Sequence, residues 1–207
     1  MSEIFVLALW VGLLFNAAPG AVFSESLRRG VRGGFGPAFA VQVGSLAGDA
    51  VWALLGLAGV GALFAVPAMR VPLTVAGCLL LGWLGVTALR DAAFPRAEPV
   101  TGDRSRQGAL AVGAAMSLGN PWNVVYWSGA AGAVSAVLGR DAGLGSLAVF
   151  FTGFMTSSLA WCFICAGFIA LLRRALPPPA VRLLEAACGV SLIVFAALLA
   201  ARLASTG

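Results

Sequence analysis

Apolar residues run in long blocks along this chain, and polar residues collect in the short stretches between them. Six blocks are long enough to cross a bilayer, which takes roughly 17–25 residues in a helix. They predict spans at about 4–26, 38–65, 71–89, 108–137, 145–172 and 181–202. The predicted fold class is therefore an all-α membrane protein with six transmembrane helices. The N-terminal "MSEIFVLALW" has neither a basic n-region nor a small-residue cleavage site before the next charges, so it reads as a retained first span and not as a signal peptide.

The joining segments orient the bundle. Segment 27–37 carries Arg28, Arg29 and Arg32; segment 90–107 carries Arg90, Arg96, Arg104 and Arg106; segment 173–182 carries Arg173, Arg174 and Arg182. The opposite side has Arg70, Arg140 and Arg202, so the bias is ten against three. Basic residues favour the cytoplasmic side and acids count for little. This puts both termini outside, in the reading of a bacterial cytoplasmic membrane protein. The stretch "FPRAEPVTGDRSR" divides the chain into residues 1–90, a cytoplasmic linker at 91–107, and residues 108–207.

Composition agrees. Of 207 residues, 60% are hydrophobic and 10% charged, against about 25% charged in a soluble domain, and the mean hydropathy is +0.98. The net charge of +5 comes from arginines with no lysine, which reads as compositional bias; a nucleic-acid reader clusters its charge on a solvated face. Absence of histidine removes the commonest metal ligand and the near-neutral proton relay. No catalytic residues, metal or cofactor are assigned, and the chain does not read as an enzyme.

The two parts match each other weakly. Pro19 corresponds to Pro121. "GSLAGDAVW" pairs with "GFMTSSLAW", setting Gly44 with Gly153, Asp49 with Ser158 and Trp52 with Trp161. "GCLLLGWLGVTALR" pairs with "GVSLIVFAALLAAR", setting Gly77 with Gly189 and Arg90 with Arg202. Three spans is an odd number, so the second half enters the membrane from the other side. The expectation is two inverted three-helix repeats, an arrangement common in secondary transporters.

Chemistry gathers where the first and fourth spans are interrupted. "NAAPGAVFSES" supplies Asn16, Pro19 and Gly20, and "SLGNPWNVVYWS" supplies Asn120, Pro121, Asn123 and Tyr126. Proline removes a helical hydrogen bond, and the adjacent glycine permits unwinding. Irregular backbone at membrane depth is tolerated against protein or a water-filled cavity, where half-helix ends bind ions or zwitterions. A plain proline kink is the simpler reading of either site alone; two symmetric ones favour helices 1 and 4 broken at Pro to build a site. Asp49 is the ionisable residue well inside a span, about 16 Å from its cytoplasmic start. A carboxylate at that depth marks an ion or proton path by default, although Ser45 or the asparagines could simply satisfy it. Gln42 lies on the same face as Asp49, and Ser158 is the counterpart of Asp49 in the second half. Glu25, beside Arg28 and Arg29, reads as a local ion pair. Trp52, Trp122, Tyr126, Trp127 and Trp161 suit cation or ring stacking but more often pack between helices. Cys162 and Cys165 form a C-x-x-C in an apolar span, and with Cys78 and Cys188 they read as buried small hydrophobes.

These residues carry a resemblance. "NAAPGAVFSESLRRGVRGGFGPAFAVQVGSLAGDAVWALLGLAGVG" and "NPWNVVYW" resemble the opening and the fourth-span Asn-Pro motif of the LysE/RhtB family of amino-acid exporters. The resemblance spans both halves. It implies a small inner-membrane secondary transporter that exports amino acids or related metabolites by proton antiport. Pro19 and Gly20 fall on the first motif, Asn120 and Pro121 on the second, and Asp49 on the second-span acid of some lysine-exporter-like members. Departures are Ala21 for the second proline of Pro-Gly-Pro, Val22 for the following asparagine, and Trp122 for lysine. The implied partners are a small-molecule substrate, protons and the bilayer, with a homodimer an option. The alternatives are a cation or metal exporter, a membrane thiol–disulfide carrier built on Cys162 and Cys165, and a scaffold subunit.

Overall fold

The computed structural model describes residues 1–17, 20–57, 67–94, 103–120, 123 and 144–206. These form helices α1 (Ser2–Ala17), α2 (Ala21–Gly33), α3 (Phe35–Leu57), α4 (Pro67–Ala93), α5 (Asp103–Leu118), α6 (Leu144–Ala175) and α7 (Pro178–Thr206), with no strand among the described residues. Four stretches, Phe35–Leu55, Thr74–Ala93, Leu144–Ala175 and Pro178–Leu198, are long and apolar enough to span a membrane, at mean hydropathies from 1.4 to 2.0. α1 and α2 together qualify as a fifth, bent by 66°. Pro19, Pro121, Trp122, Tyr126 and Trp127, with most of the expected fourth span after Leu118, lie outside the described residues.

The first span is thus interrupted, with α1 ending at Ala17 and α2 starting at Ala21. α2 restarts after Gly20, whose extended backbone (φ −144°, ψ −170°) precedes the first turn without a side-chain cap. The arginine-bearing segment 27–37, expected as a loop, is helical but for Gly34. That residue adopts φ +80°, and its N–H closes on the Gly30 carbonyl at 2.7 Å. Glycine reaches this left-handed region without a Cβ clash, so one residue turns the chain from α2 into α3. Between α6 and α7 only Leu176 and Pro177 are non-helical, and Pro178 and Pro179 open α7, where their missing N–H groups are not needed. Charged segments read as loops are mostly helix ends, because length beyond the bilayer costs a helix nothing in water.

Helices pair across the two parts of the chain: α1 lies along α6, α3 along α5, and α4 along α7, while α2 sits against α3 and α7. Small residues make these approaches close, as in membrane helix packing generally. A Cβ on Gly44 of α3 would overlap the Leu110 carbonyl of α5, and one on Gly113 of α5 would overlap the Val41 carbonyl of α3. A Cβ on Gly153 of α6 would likewise lie 2.8 Å from the Phe5 carbonyl of α1. Gly85 and Gly189 face each other between α4 and α7.

The arginine-rich end is closed by ions. Arg28 grips Glu25 with two hydrogen bonds of 2.7 and 2.8 Å, and Arg29 reaches the same carboxylate at 2.6 Å. This is the local pairing expected for Glu25, though the carboxylate is wholly buried. Asp91 at the end of α4 lies 3.3 Å from Arg28, and Arg32 binds both the Asp91 carbonyl and the Glu185 carboxylate of α7. Glu185 is only 2% exposed, so Asp49 is not alone among acids enclosed by the bundle. Glu185→Gln is expected to cost about 2 kcal/mol, the scale of a hydrogen bond to a charged group. Thermal unfolding in detergent should register this as a drop of roughly 4–8 °C for a chain of this size. An unchanged midpoint would mean the link adds nothing to stability.

Candidate functional site

A cavity of about 660 Å³ opens between the end of α1, the start of α2, the middle of α3 and the end of α5, with α4 and α7 closing the remaining wall. Of the residues singled out from the sequence, Asn16, Gly20, Gln42, Asp49, Asn120 and Asn123 line it. Ser158 does not. It is fully buried on α6, where its hydroxyl receives the Asn16 amide at 2.8 Å. Pro19, Pro121 and Tyr126 lie outside the described residues.

Asp49 is 5% exposed. The middle of α3 holds it, and its partner comes from α5: the Ser117 hydroxyl donates to Oδ1 at 2.8 Å. Oδ2 receives no donor among the described residues. Ser45, one turn away, does not serve, because its hydroxyl donates back to the Gln42 carbonyl at 2.8 Å. Such local back-bonding is the usual competitor for serine in a helix. Gln42 lines the cavity and turns its amide to the Cys165 sulfur at 3.3 Å.

Ser117 belongs to the interrupted stretch "SLGNPWNVVYWS" but is not among the residues that the sequence assigns to the site. Its carbonyl, near the end of α5, accepts the Trp52 indole N–H at 3.0 Å and the Asn123 amide at 3.0 Å. The last carbonyls of a helix have no intrahelical donor, and here side chains supply one. The available signal was position: Ser117 sits one turn before the interruption at Asn120 and Pro121. Trp52 therefore serves the scaffold and does not line the cavity, and Trp161 packs against the α2–α6–α7 core.

The cavity has two polar ends and an apolar wall. At one end Ser117, near the end of α5, and Gly119 and Asn120, just beyond it, line the cavity with Asp49. The first turn of α2 presents Gly20, Ala21, Val22 and Phe23, whose leading N–H groups have no intrahelical acceptor and carry the positive end of the helix dipole. Phe15, Leu80, Leu81, Met116, Phe195 and Leu198 form much of the rest. Cys162 and Cys165 are buried on α6, Cys162 bonded to the Ser158 carbonyl at 3.2 Å. Among the described residues no three His, Cys, Asp or Glu side chains gather where they could hold a metal ion.

Comparison with known proteins adds a family. The model of the LysE type translocator family matches residues 13–203. The chain is 49% identical over 199 residues to "Chemotactic transduction protein ChpE" of Pseudomonas aeruginosa, covering 96% of this chain and 98% of that protein. It is 26% identical over 194 residues to "Putative amino acid efflux protein YcgF" of Bacillus subtilis, covering 93% of each. No solved structure matches the chain.

Proposed function

The chain belongs to the LysE type translocator family, a membrane transporter and not an enzyme, and from that premise we propose that it exports an amino acid or a close relative from the cytoplasm in exchange for protons. The observation that carries the proposal is Asp49, held by Ser117 on the wall of a cavity of about 660 Å³. A substrate ammonium fits between Asp49 and the carbonyl end of α5. A substrate carboxylate fits at the uncapped start of α2, where backbone N–H groups favour an anion. Asp49 then alternates between proton and ammonium, which is the exchange an antiporter needs. Asn16, Gln42, Asn120 and Asn123 supply hydrogen bonds around the two ends, and Pro19, Pro121 and Tyr126 belong to the same proposal.

Alternating access in this proposal uses two inverted three-helix repeats, residues 1–90 and 108–207, joined by the linker at 91–107. The pairing of helices supports it. If α1, α3 and α4 correspond to α5, α6 and α7, the contact of α1 with α6 is the image of the contact of α5 with α3. Gly153 and Gly44 sit at those two contacts, the pair that aligns between the halves. Ser158, aligned with Asp49, is bonded from α1 by Asn16 much as Asp49 is bonded from α5 by Ser117. Both termini then face outward from a bacterial cytoplasmic membrane, with two chains able to pair.

Counterflow tests the proposal. Liposomes holding purified protein and an unlabelled amino acid should accumulate the labelled one, faster when a pH gradient opposes export. No exchange with any protein amino acid would end the reading. A second reading follows the name of the 49% identical relative and ties the chain to chemotactic transduction. It predicts binding without exchange in the same liposomes.

A further inference from the structure

We infer that the cavity selects amino acids with an uncharged, apolar side chain, of the leucine, methionine or phenylalanine kind; the inference rests on the export reading above. Two independent observations lead to it: the inventory of charges and the make-up of the wall.

Asp49 is the charged residue among those lining the cavity. The sequence extends this to the segments outside the described residues. Between Arg32 and Arg70 the charged residue is Asp49, and between Arg106 and Arg140 there is none. One carboxylate answers one ammonium. A lysine or arginine substrate carries a second cation, which would enter a poorly hydrated space with no partner, and a buried unpaired charge is among the costliest groups in a protein. An aspartate or glutamate substrate brings a second anion where no basic side chain waits. A zwitterion with a neutral side chain satisfies both polar ends and leaves nothing over.

The wall then chooses among neutral side chains. Phe15, Leu80, Leu81, Met116, Phe195 and Leu198 come from α1, α4, α5 and α7 and surround the space left once Asp49 and the start of α2 are assigned. A hydroxyl or amide pointed at them would lose its water without gaining a partner. A branched or aromatic hydrocarbon loses nothing. The volume of about 660 Å³ lies within the usual range for small-molecule sites, roughly 300–1,000 Å³, and leaves room for a ring.

The experiment is a competition series on the full-length protein in liposomes and, in parallel, thermal shift in detergent. Leucine, methionine, phenylalanine, serine, lysine and glutamate are compared. The expected result is that the three apolar amino acids exchange at least about tenfold better in kcat/KM than the other three, a ratio of the kind one mismatched group produces. Preference for lysine, glutamate or serine, or no discrimination, overturns the inference while export stands. Exchange of none of these six overturns the inference, and exchange of no protein amino acid in the counterflow assay overturns the export reading itself. Leu81→Ala, which leaves Asp49 and Ser117 untouched, should narrow the preference for leucine over alanine without removing exchange. An unaltered leucine-to-alanine ratio in that variant would take the wall out of the selection.

Discussion

Asp49→Asn is expected to abolish proton-coupled export while the protein folds and inserts as before. The substitution keeps the shape of the side chain, and the Ser117 hydroxyl that lies 2.8 Å from Oδ1 can donate to an amide oxygen equally well. What disappears is the negative charge and the capacity to take up a proton. Hydrogen bonds to charged groups contribute about 1.5–3 kcal/mol, so the ammonium end of the substrate should bind roughly 10–100-fold more weakly. The coupling effect is larger, since an amide cannot exchange substrate for a proton at all. Unfolding should shift little or upward, because removing a carboxylate from an enclosed site also removes its desolvation cost. Asp49→Glu keeps the charge at a longer reach and should retain a fraction of gradient-driven transport. Export by Asp49→Asn at the wild-type rate, with the same response to a pH gradient, would place the coupling group elsewhere.

Gly44→Val should damage the bundle itself. The Cβ alone would overlap the Leu110 carbonyl, and backbone cannot rotate away as a side chain does. α3 and α5 would have to separate, and with them the two residues of the Asp49–Ser117 bond. Overpacking typically costs about 1–3 kcal/mol, and contact with backbone puts this case at the upper end. The protein should show a loss of monodisperse material in detergent and a thermal midpoint lower by roughly 6–12 °C at about 3 kcal/mol. Gly82→Ala is the matched control: nothing lies within 4 Å of its Cβ position, and alanine favours a helix by up to about 1 kcal/mol over glycine. Equal midpoints for the two variants would contradict the close approach of α3 and α5.

How far the sequence could be read depended on the range of the interaction. The blocks at 71–89, 145–172 and 181–202 lie within α4, α6 and α7 because a run of apolar residues long enough to cross a bilayer is a property of that run alone. The helix ends were missed, since a polar helix end is stable in water and leaves no mark in hydropathy. The pairing of Glu25 with Arg28 and Arg29 was legible because three or four residues along a helix is a fixed distance. Ser117 as partner of Asp49, and Glu185 as partner of Arg32, were not. The first joins residues 68 apart and the second residues 153 apart, and no periodicity says which serine or which acid will arrive there. Ser45 looked suitable on spacing alone, but the Gln42 carbonyl takes its proton first.

The ion cluster at the arginine-rich end also has a history in time. Arg28 and Arg29 meet Glu25 within their own helix, so they are neutralised as soon as α2 forms. Arg32 must wait for Asp91, 59 residues on, and for Glu185, 153 residues on. At a synthesis rate of about 5–20 residues per second, the second wait is roughly 8–30 s. Until Asp91 is made, Arg32 has neither of these partners, and a basic residue beside a span is the kind that biases which way a nascent helix enters the membrane. Once α7 is made, the same charge becomes a latch between the earliest and the latest parts of the chain.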